Sequence, residues 1–259
     1  MKNFPALASC IGISLISLVF ATTAFAYDKT STNIHTVHAP RIRLKNGTSL
    51  NWAGYAIETN LSSPQSKAVG DVKGQWIVPN VSCSGTTNTY SASWIGIDGY
   101  SDNSVEQTGT EQNCINGHAQ FAAWYEMYPH PSFGVNLPVK ANDIMSADVQ
   151  YLNNKFVLTL SNISTGQHIT VIQKSNAQRQ SAEWIAEAPW SGGTLPLANF
   201  GTMQFSGIQA TLNGHIGTIS DPSWQFDAIT MTDSLGNPKA TPSSLSGSGD
   251  AFSVTWNSN

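Results

Sequence analysis

From Asn51 to the C-terminus no stretch of this chain sustains a helical apolar period. Turn-forming groups break it at short intervals: Asn153-Asn154, Ser164-Thr165-Gly166, Ser191-Gly192-Gly193, Asn213-Gly214 and Gly236-Asn237-Pro238. Runs this short, bounded by residues that favour tight turns, read as strands. Candidate strands are Trp52 to Glu58, Val72 to Val78, Tyr90 to Asp98, Val105 to Glu111, Ala119 to Tyr128 and Ile144 to Leu152. They continue at Lys155 to Ser161, His168 to Gln173, Glu183 to Glu187, Ala198 to Ala210, Ala228 to Met231 and Phe252 to Trp256. Many short strands with regular turn signals argue for an all-β antiparallel sandwich or barrel. One domain over 47–259 is the simplest count, and the Ser/Gly-rich Thr241 to Gly249 reads as a loop before the last strand.

The N-terminus follows different rules. Lys2 precedes an apolar run from Ile11 to Phe20, and Ala24-Phe25-Ala26 puts small residues where a signal peptidase reads. Residues 1–26 are therefore expected to be a signal peptide cut before Tyr27, which makes the protein secreted, extracellular or periplasmic. No later stretch approaches the roughly 18 apolar residues of a membrane span, so no membrane attachment is expected after cleavage. With Cys10 removed, Cys83 and Cys114 remain. Two cysteines in an exported protein pair more often than not, although a reduced pair fits the sequence equally well.

Residues 27–46 are polar and comparatively basic, with Lys29, Arg41, Arg43 and Lys45 joined by His35 and His38. They are either a leader without structure or a pro-segment whose cations sit against an acidic cleft until it is cut away. The two histidines are too few for a metal site without partners.

Only 11% of the residues are charged, against about 25% in an average soluble protein. A surface polar through Ser, Thr, Asn and Gly loses little when carboxylates are protonated, which suits an acidic or extracellular setting. The formal net charge of -4 leaves no basic patch for nucleic acid, and a monomer is expected. There is no Gly-x-Ser-x-Gly elbow, no His-Glu-x-x-His helix, no Walker loop, and no Asp-Thr-Gly or Asp-Ser-Gly. Cys114 and His118 fall at a metal-like spacing, but one such pair without a second is a weak signal, and no metal or other cofactor is expected.

Polar chemistry concentrates on strand faces. In an extended chain Glu183, Ile185 and Glu187 point one way and Ala182, Trp184 and Ala186 the other. Two carboxylates on one face of a poorly charged chain are either solvated or working. Alternation likewise groups Gln120, Ala122, Trp124, Glu126 and Tyr128, then Trp94, Gly96 and Asp98, then Val105, Gln107, Gly109 and Glu111. Flat aromatics beside carboxylates suit a groove that grips an extended polymer.

These residues resemble a known family. Asn51-Trp52-Ala53-Gly54, Trp94-Ile95-Gly96-Ile97-Asp98-Gly99, Gln107-Thr108-Gly109, Trp124-Tyr125-Glu126-Met127-Tyr128-Pro129 and Ala182-Glu183-Trp184-Ile185-Ala186-Glu187 occur in the order and approximate spacing of the glutamic peptidases, the eqolisins. The resemblance implies a sandwich of two stacked, curved antiparallel sheets, lectin- or jelly-roll-like. It also implies endopeptidase activity on proteins or peptides at acidic pH, without a cofactor. By its motifs Gln107 and Glu187 are the catalytic dyad, with Trp52, Trp94, Asp98, Glu111, Trp124, Glu126 and Tyr128 lining or supporting the groove. The chain departs from the fungal pattern in Ala188-Pro189-Trp190, where an acidic, aromatic run is usual, and in Glu111, where an aspartate is common.

The chemistry of these residues agrees. Glu187 can take a proton from water and return it to the departing amine, while the Gln107 amide donates to the developing oxyanion. Convergence of Asp98, Glu111, Glu126 and Glu187 on one cleft would raise some of their pKa values, so that stability is lost as pH rises. Two other classes share these features: a jelly-roll glycoside hydrolase using Glu126 and Glu187, and a carbohydrate-binding sandwich without activity. Gln107, which a glycosidase does not need, separates them.

Overall fold

The computed structural model describes Met1 and residues 37–259 apart from 46 and 86. The expected signal peptide beyond Met1, and the leader up to residue 36, lie outside the described residues. Residues 37–259 fall within one compact unit, and among the described residues every regular element is a strand. In chain order these are β1 (Arg43–Lys45), β2 (Thr48–Ser49), β3 (Trp52–Glu58), β4 (Val69–Ile77), β5 (Ala92–Ile97), β6 (Val105–Ile115), β7 (His118–Tyr128), β8 (Phe133–Val135) and β9 (Ile144–Leu152). They continue with β10 (Lys155–Asn162), β11 (Gln167–Gln173), β12 (Ser181–Glu187), β13 (Thr202–Leu212), β14 (His215–Gly217), β15 (Gln225–Thr232), β16 (Pro238–Pro242) and β17 (Phe252–Trp256).

Two sheets stack face to face. The first runs β8-β7-β6-β5-β12-β3-β15 and is antiparallel throughout. The second runs β11-β10-β9-β4-β13-β17-β16-β15, with β14 folded back on β13. β15 belongs to both: residues 225–229 pair with β3, whereas 230–232 pair with β16 and, in a short parallel ladder, with β2. A sandwich therefore forms from one continuous hydrogen-bonded net.

Alternation along the strands explains the core. Ala182, Trp184 and Ala186 of β12 enter the space between the sheets with Ile95, Ile97, Trp76, Phe156, Leu158 and Phe205, all essentially inaccessible to water. Trp184 lies over Gly74 of the facing sheet, where a Cβ would come 3.2 Å from the indole, and its Nε1 donates to Lys73 O at 3.0 Å. Trp76 Nε1 donates to Thr110 Oγ1 at 2.9 Å, so this buried indole also has its partner. Phe121, Ala123, Tyr125 and Met127 of β7 face the same core, which turns Ala122, Trp124 and Glu126 to the other side.

Cys83 and Cys114 form a disulfide with 31 residues of sequence separation. Closing a loop of that size stabilises by about 3–4 kcal/mol in the chain-entropy model. Replacing both cysteines by Ser is expected to lower Tm by about 10 °C for a domain of this size; an unchanged melt would show that other contacts hold the loop.

Short strands the sequence pattern did not reveal are β1, β2, β8, β14 and β16. The leader is not free of structure either: Val37 pairs with Trp190, and Arg43–Lys45 pairs with Thr48–Ser49.

Candidate active site

Strand register builds the site on the first sheet's outer face. Opposed residues share a face, so Ala56, Glu183, Gly96, Gln107 and Glu126 form one row across β3, β12, β5, β6 and β7. The next row holds Gly54, Ile185, Trp94, Gly109 and Trp124, and the third Trp52, Glu187, Ala92, Glu111 and Ala122. Small residues alternate with large ones for a steric reason. A Cβ on Gly109 would sit 2.3 Å from Ser93 O and 2.6 Å from Trp94 Cβ, and one on Gly96 would sit 2.9 Å from Gln107 Cβ. These glycines let Trp94 and Gln107 lie down across the sheet.

Gln107 and Glu187 converge on a single residue that the sequence left unassigned, His38. The Gln107 amide donates through Nε2 to His38 O at 2.8 Å. Glu187 Oε2 lies 2.9 Å from His38 Nδ1 and accepts from Trp94 Nε1 at 2.8 Å. The imidazole stacks on Trp124, with centroids 3.6 Å apart and planes 8° from parallel, and its Nε2 reaches Glu111 Oε1 at 3.3 Å. Glu126 Oε2 accepts the His38 backbone N–H at 2.9 Å and Gln107 Nε2 at 3.2 Å, which fixes the end of the amide that faces the peptide carbonyl. Trp52 meets Trp94 edge to face at 4.9 Å and donates to Ala39 O at 3.0 Å.

The electrostatics follow from burial. Gln107, Glu126, Glu187 and His38 have no exposed surface, so the solvated-face reading of Glu183 and Glu187 does not hold. Burial would push the His38 imidazole down, but Glu187, Glu111 and Glu126 together raise its pKa to about 10, leaving a cation. Burial raises Glu126 to about 8 against the opposing charge of His38. It also raises Glu187, with His38, Trp94 and Trp52 pulling the other way.

The structure brings together Trp52, Trp94, Gln107, Glu111, Trp124, Glu126 and Glu187, and packs Tyr128 against their apolar base. Asp98 belongs elsewhere. The alternation that placed it beside Trp94 assumes an extended backbone, but β5 ends at Ile97 and Asp98 adopts a φ of 72°. Its carboxylate turns to accept the N–H groups of Arg179 at 2.5 Å and Gln180 at 2.6 Å. It lies near Ser181, six positions along β12 from Glu187, or about 20 Å at the usual strand rise. There it joins buried Glu58, Glu106 and Glu183, with half-buried Asp102 beside them, in a second acidic group. Asn51, quoted in a motif but given no role, donates through Nδ2 to Ala39 O and Pro40 O at 3.1 and 3.2 Å.

Among the described residues no cluster of three or more His, Cys, Asp or Glu has a geometry that would hold a metal ion. Cys114 is committed to its disulfide, so the Cys114 and His118 spacing forms no ligand pair.

A sequence model of the peptidase A4 family matches residues 50–256. Scytalido-glutamic peptidase, solved with a transition-state-analogue inhibitor, is similar with a TM-score of 0.67 and 22% identity over 80% of this chain and 98% of that one. SCP-B, a member of the eqolisin family in complex with the tripeptide Ala-Ile-His, is similar at 0.61 and 22% with the same coverage. Aspergilloglutamic peptidase from Aspergillus niger gives 0.57 and 26% over 65% of this chain and 99% of that one. A search of curated proteins found no match.

Proposed function

The chain belongs to the peptidase A4 family, the glutamic-type peptidases, and on that premise we propose that it is an exported acid endopeptidase working through Gln107 and Glu187. One observation carries the reading of the dyad: a peptide carbonyl of the chain itself rests 2.8 Å from the Gln107 amide while Glu187 engages the same residue. A substrate carbonyl in that place receives the Gln107 N–H. Glu187 removes a proton from the attacking water, the tetrahedral oxyanion gains charge against Gln107, and Glu187 returns the proton to the leaving nitrogen. Burial that raises the Glu187 pKa suits both halves of the cycle in acid, because one carboxyl must be base and then acid. Trp52, Trp94, Trp124 and Tyr128 supply the walls along which an extended peptide lies.

Export is supported by the apolar run and the Ala24-Phe25-Ala26 signal. A disulfide fits an oxidising compartment. Membership in a peptidase family removes the support from the glycosidase and sugar-binding readings.

The test is direct. At about pH 4 the protein is expected to release peptides from denatured casein, to leave soluble β-glucan intact, and to be indifferent to EDTA. Glucan cleavage without peptide release would replace this reading.

A further inference from the structure

Strand register carries the outer face of the first sheet well past the dyad. Asp227 of β15 opposes Ala56, so the row that ends in Gln107 and Glu126 begins with Asp227. Four strand spacings separate Asp227 from Gln107, about 19 Å across the sheet. At that far end Asp227 Oδ2 accepts from the Tyr100 hydroxyl at 2.7 Å and from Gly47 N at 3.2 Å. Burial first, and the Asp227 carboxylate after it, push Tyr100 up to about 12, so its hydroxyl stays a donor. Beside the pair lies a cavity of about 290 Å³ lined by Arg43, Leu61, Ser62, Tyr100 and Asp227.

Residues 38–41 show how a main chain crosses that distance. His38 O meets Gln107 Nε2 at 2.8 Å, Ala39 O accepts from Trp52 Nε1 and Asn51 Nδ2, and Arg41 N donates to Gly99 O at 3.0 Å. The Arg41 guanidinium then lies 4.4 Å from the Tyr100 ring centroid, 3.4 Å from Asp227 Oδ2 and 3.1 Å from Thr48 O. Its side chain is closed off from water, while Asp227 keeps 16% of its side-chain surface open, so the pair is a socket with a mouth. Resting on the dyad reading above, we propose that Asp227 and Tyr100 form a subsite that selects an arginine or lysine on the third residue past the bond to be cut.

Reach and charge together fix the chemistry. With a substrate carbonyl at Gln107, three extended residues cover about 10 Å, roughly half the way to Asp227. Only a long side chain makes up the rest. Of the long side chains, a carboxylate beside an aromatic face favours the cationic ones. Arginine suits the socket best, because its flat guanidinium can cover the Tyr100 ring while its N–H groups reach Asp227 and the Thr48 carbonyl.

The full chain at about pH 4 is given a peptide library of mixed sequence, and the new chain ends are read by mass spectrometry. The third position past the cut is expected to be enriched in arginine and lysine relative to the library. Asp227→Asn is expected to lose that enrichment, and Asp227→Arg to shift it toward aspartate and glutamate. Residues at one position are compared within one digest, so the fraction of active enzyme does not enter. The best-cut peptide is then made with arginine or its neutral analogue citrulline at that position. The native chain is expected to favour the arginine peptide about fivefold in kcat/KM, the scale of a cation held by a ring and a carboxylate, and Asp227→Asn to treat the two alike. An unbiased third position in the native digest, or a bias that survives both Asp227 substitutions, overturns the inference. If the native chain hydrolyses nothing, yet the immobilised protein retains arginine and lysine peptides of the library better than its Asp227→Asn variant does, the subsite stands and the peptidase reading falls. Retention indifferent to Asp227 removes the subsite as well.

Discussion

Replacing Glu187 by Gln is expected to lower kcat/KM on a denatured protein substrate by about 10²- to 10⁴-fold, the range lost with a general acid-base. The exchange preserves shape and still offers an oxygen to Trp94 Nε1, which now sits 2.8 Å from the carboxylate, so the wall of the cleft stays in place. What disappears is the ability to carry a proton. Replacing Gln107 by Ala removes an oxyanion donor and is expected to cost about 10²- to 10³-fold. Gln107→Glu should fare no better, because its carboxyl would stand beside Glu126, 3.2 Å from the present amide nitrogen, and the two would compete for protons. The double variant Glu187→Gln with Gln107→Ala is the sharper measurement. Two groups that serve one transition state lose non-additively, so the double variant should be little slower than Glu187→Gln alone. Circular dichroism of each variant must report an unchanged fold. A Glu187→Gln protein within tenfold of the native rate would remove Glu187 from the chemistry.

Much of this site could be read from the sequence because register is a local rule. Once Glu187, Glu111, Gln107 and Trp124 are placed on strands, alternation decides their faces, and antiparallel pairing with the intervening Gly96, Gly109 and Ala92 does the rest. The rule fails where its premise fails. Asp98 sits one residue past the end of β5 in a left-handed conformation, and its side chain leaves the face that alternation assigned to it.

The placement of residues 37–41 against the site was illegible for a different reason. Residues 37–41 have no periodicity, because their partners are supplied by Glu126, Gln107, Trp52, Asn51 and Trp190 from four distant parts of the chain. No pattern within five residues encodes that. The basic character of the leader, carried by Arg and Lys, points toward an acidic cleft, whereas the residue seated on the dyad is a histidine. Short strands such as Phe133–Val135 and His215–Gly217 escaped for lack of length, each having only three residues on which a period could show.

The second acidic group sets the largest expected effect on stability: the protein should melt about 10 °C higher at pH 4.5 than at pH 8. Burial raises Glu58 to about 7 and Glu106 to about 8, and lifts Glu183 well above the usual carboxylate range, with Asp98, Asp102 and Glu58 adding like charge around it. At the cleft Glu126 is raised to about 8 for the same reason. Each of these groups holds its proton in the folded state at pH values where the unfolded chain has released it. Between roughly pH 4.5 and 8 the folded state therefore binds more protons, and stability falls as pH rises through that window. His38, raised to about 10, acts in the same direction above its unfolded value near 6.5. Asp221, Asp233 and Asp250 are lowered and act oppositely, but they lie at the solvated surface and their effect is small. At about 1.4 kcal/mol per pK unit even a fraction of the shifts of Glu58, Glu106 and Glu126, the part left after solvent and structural relaxation screen them, is worth on the order of several kcal/mol, and a domain of this size converts each kcal/mol into about 2–4 °C. Glu183→Gln isolates the cause. It keeps the shape of a protonated carboxyl and cannot ionise, so it should raise the melting temperature at pH 8 while leaving the value at pH 4.5 almost unchanged. A native protein at least as stable at pH 8 as at pH 4.5 would mean that these carboxylates reach water or counter-charge as easily folded as unfolded.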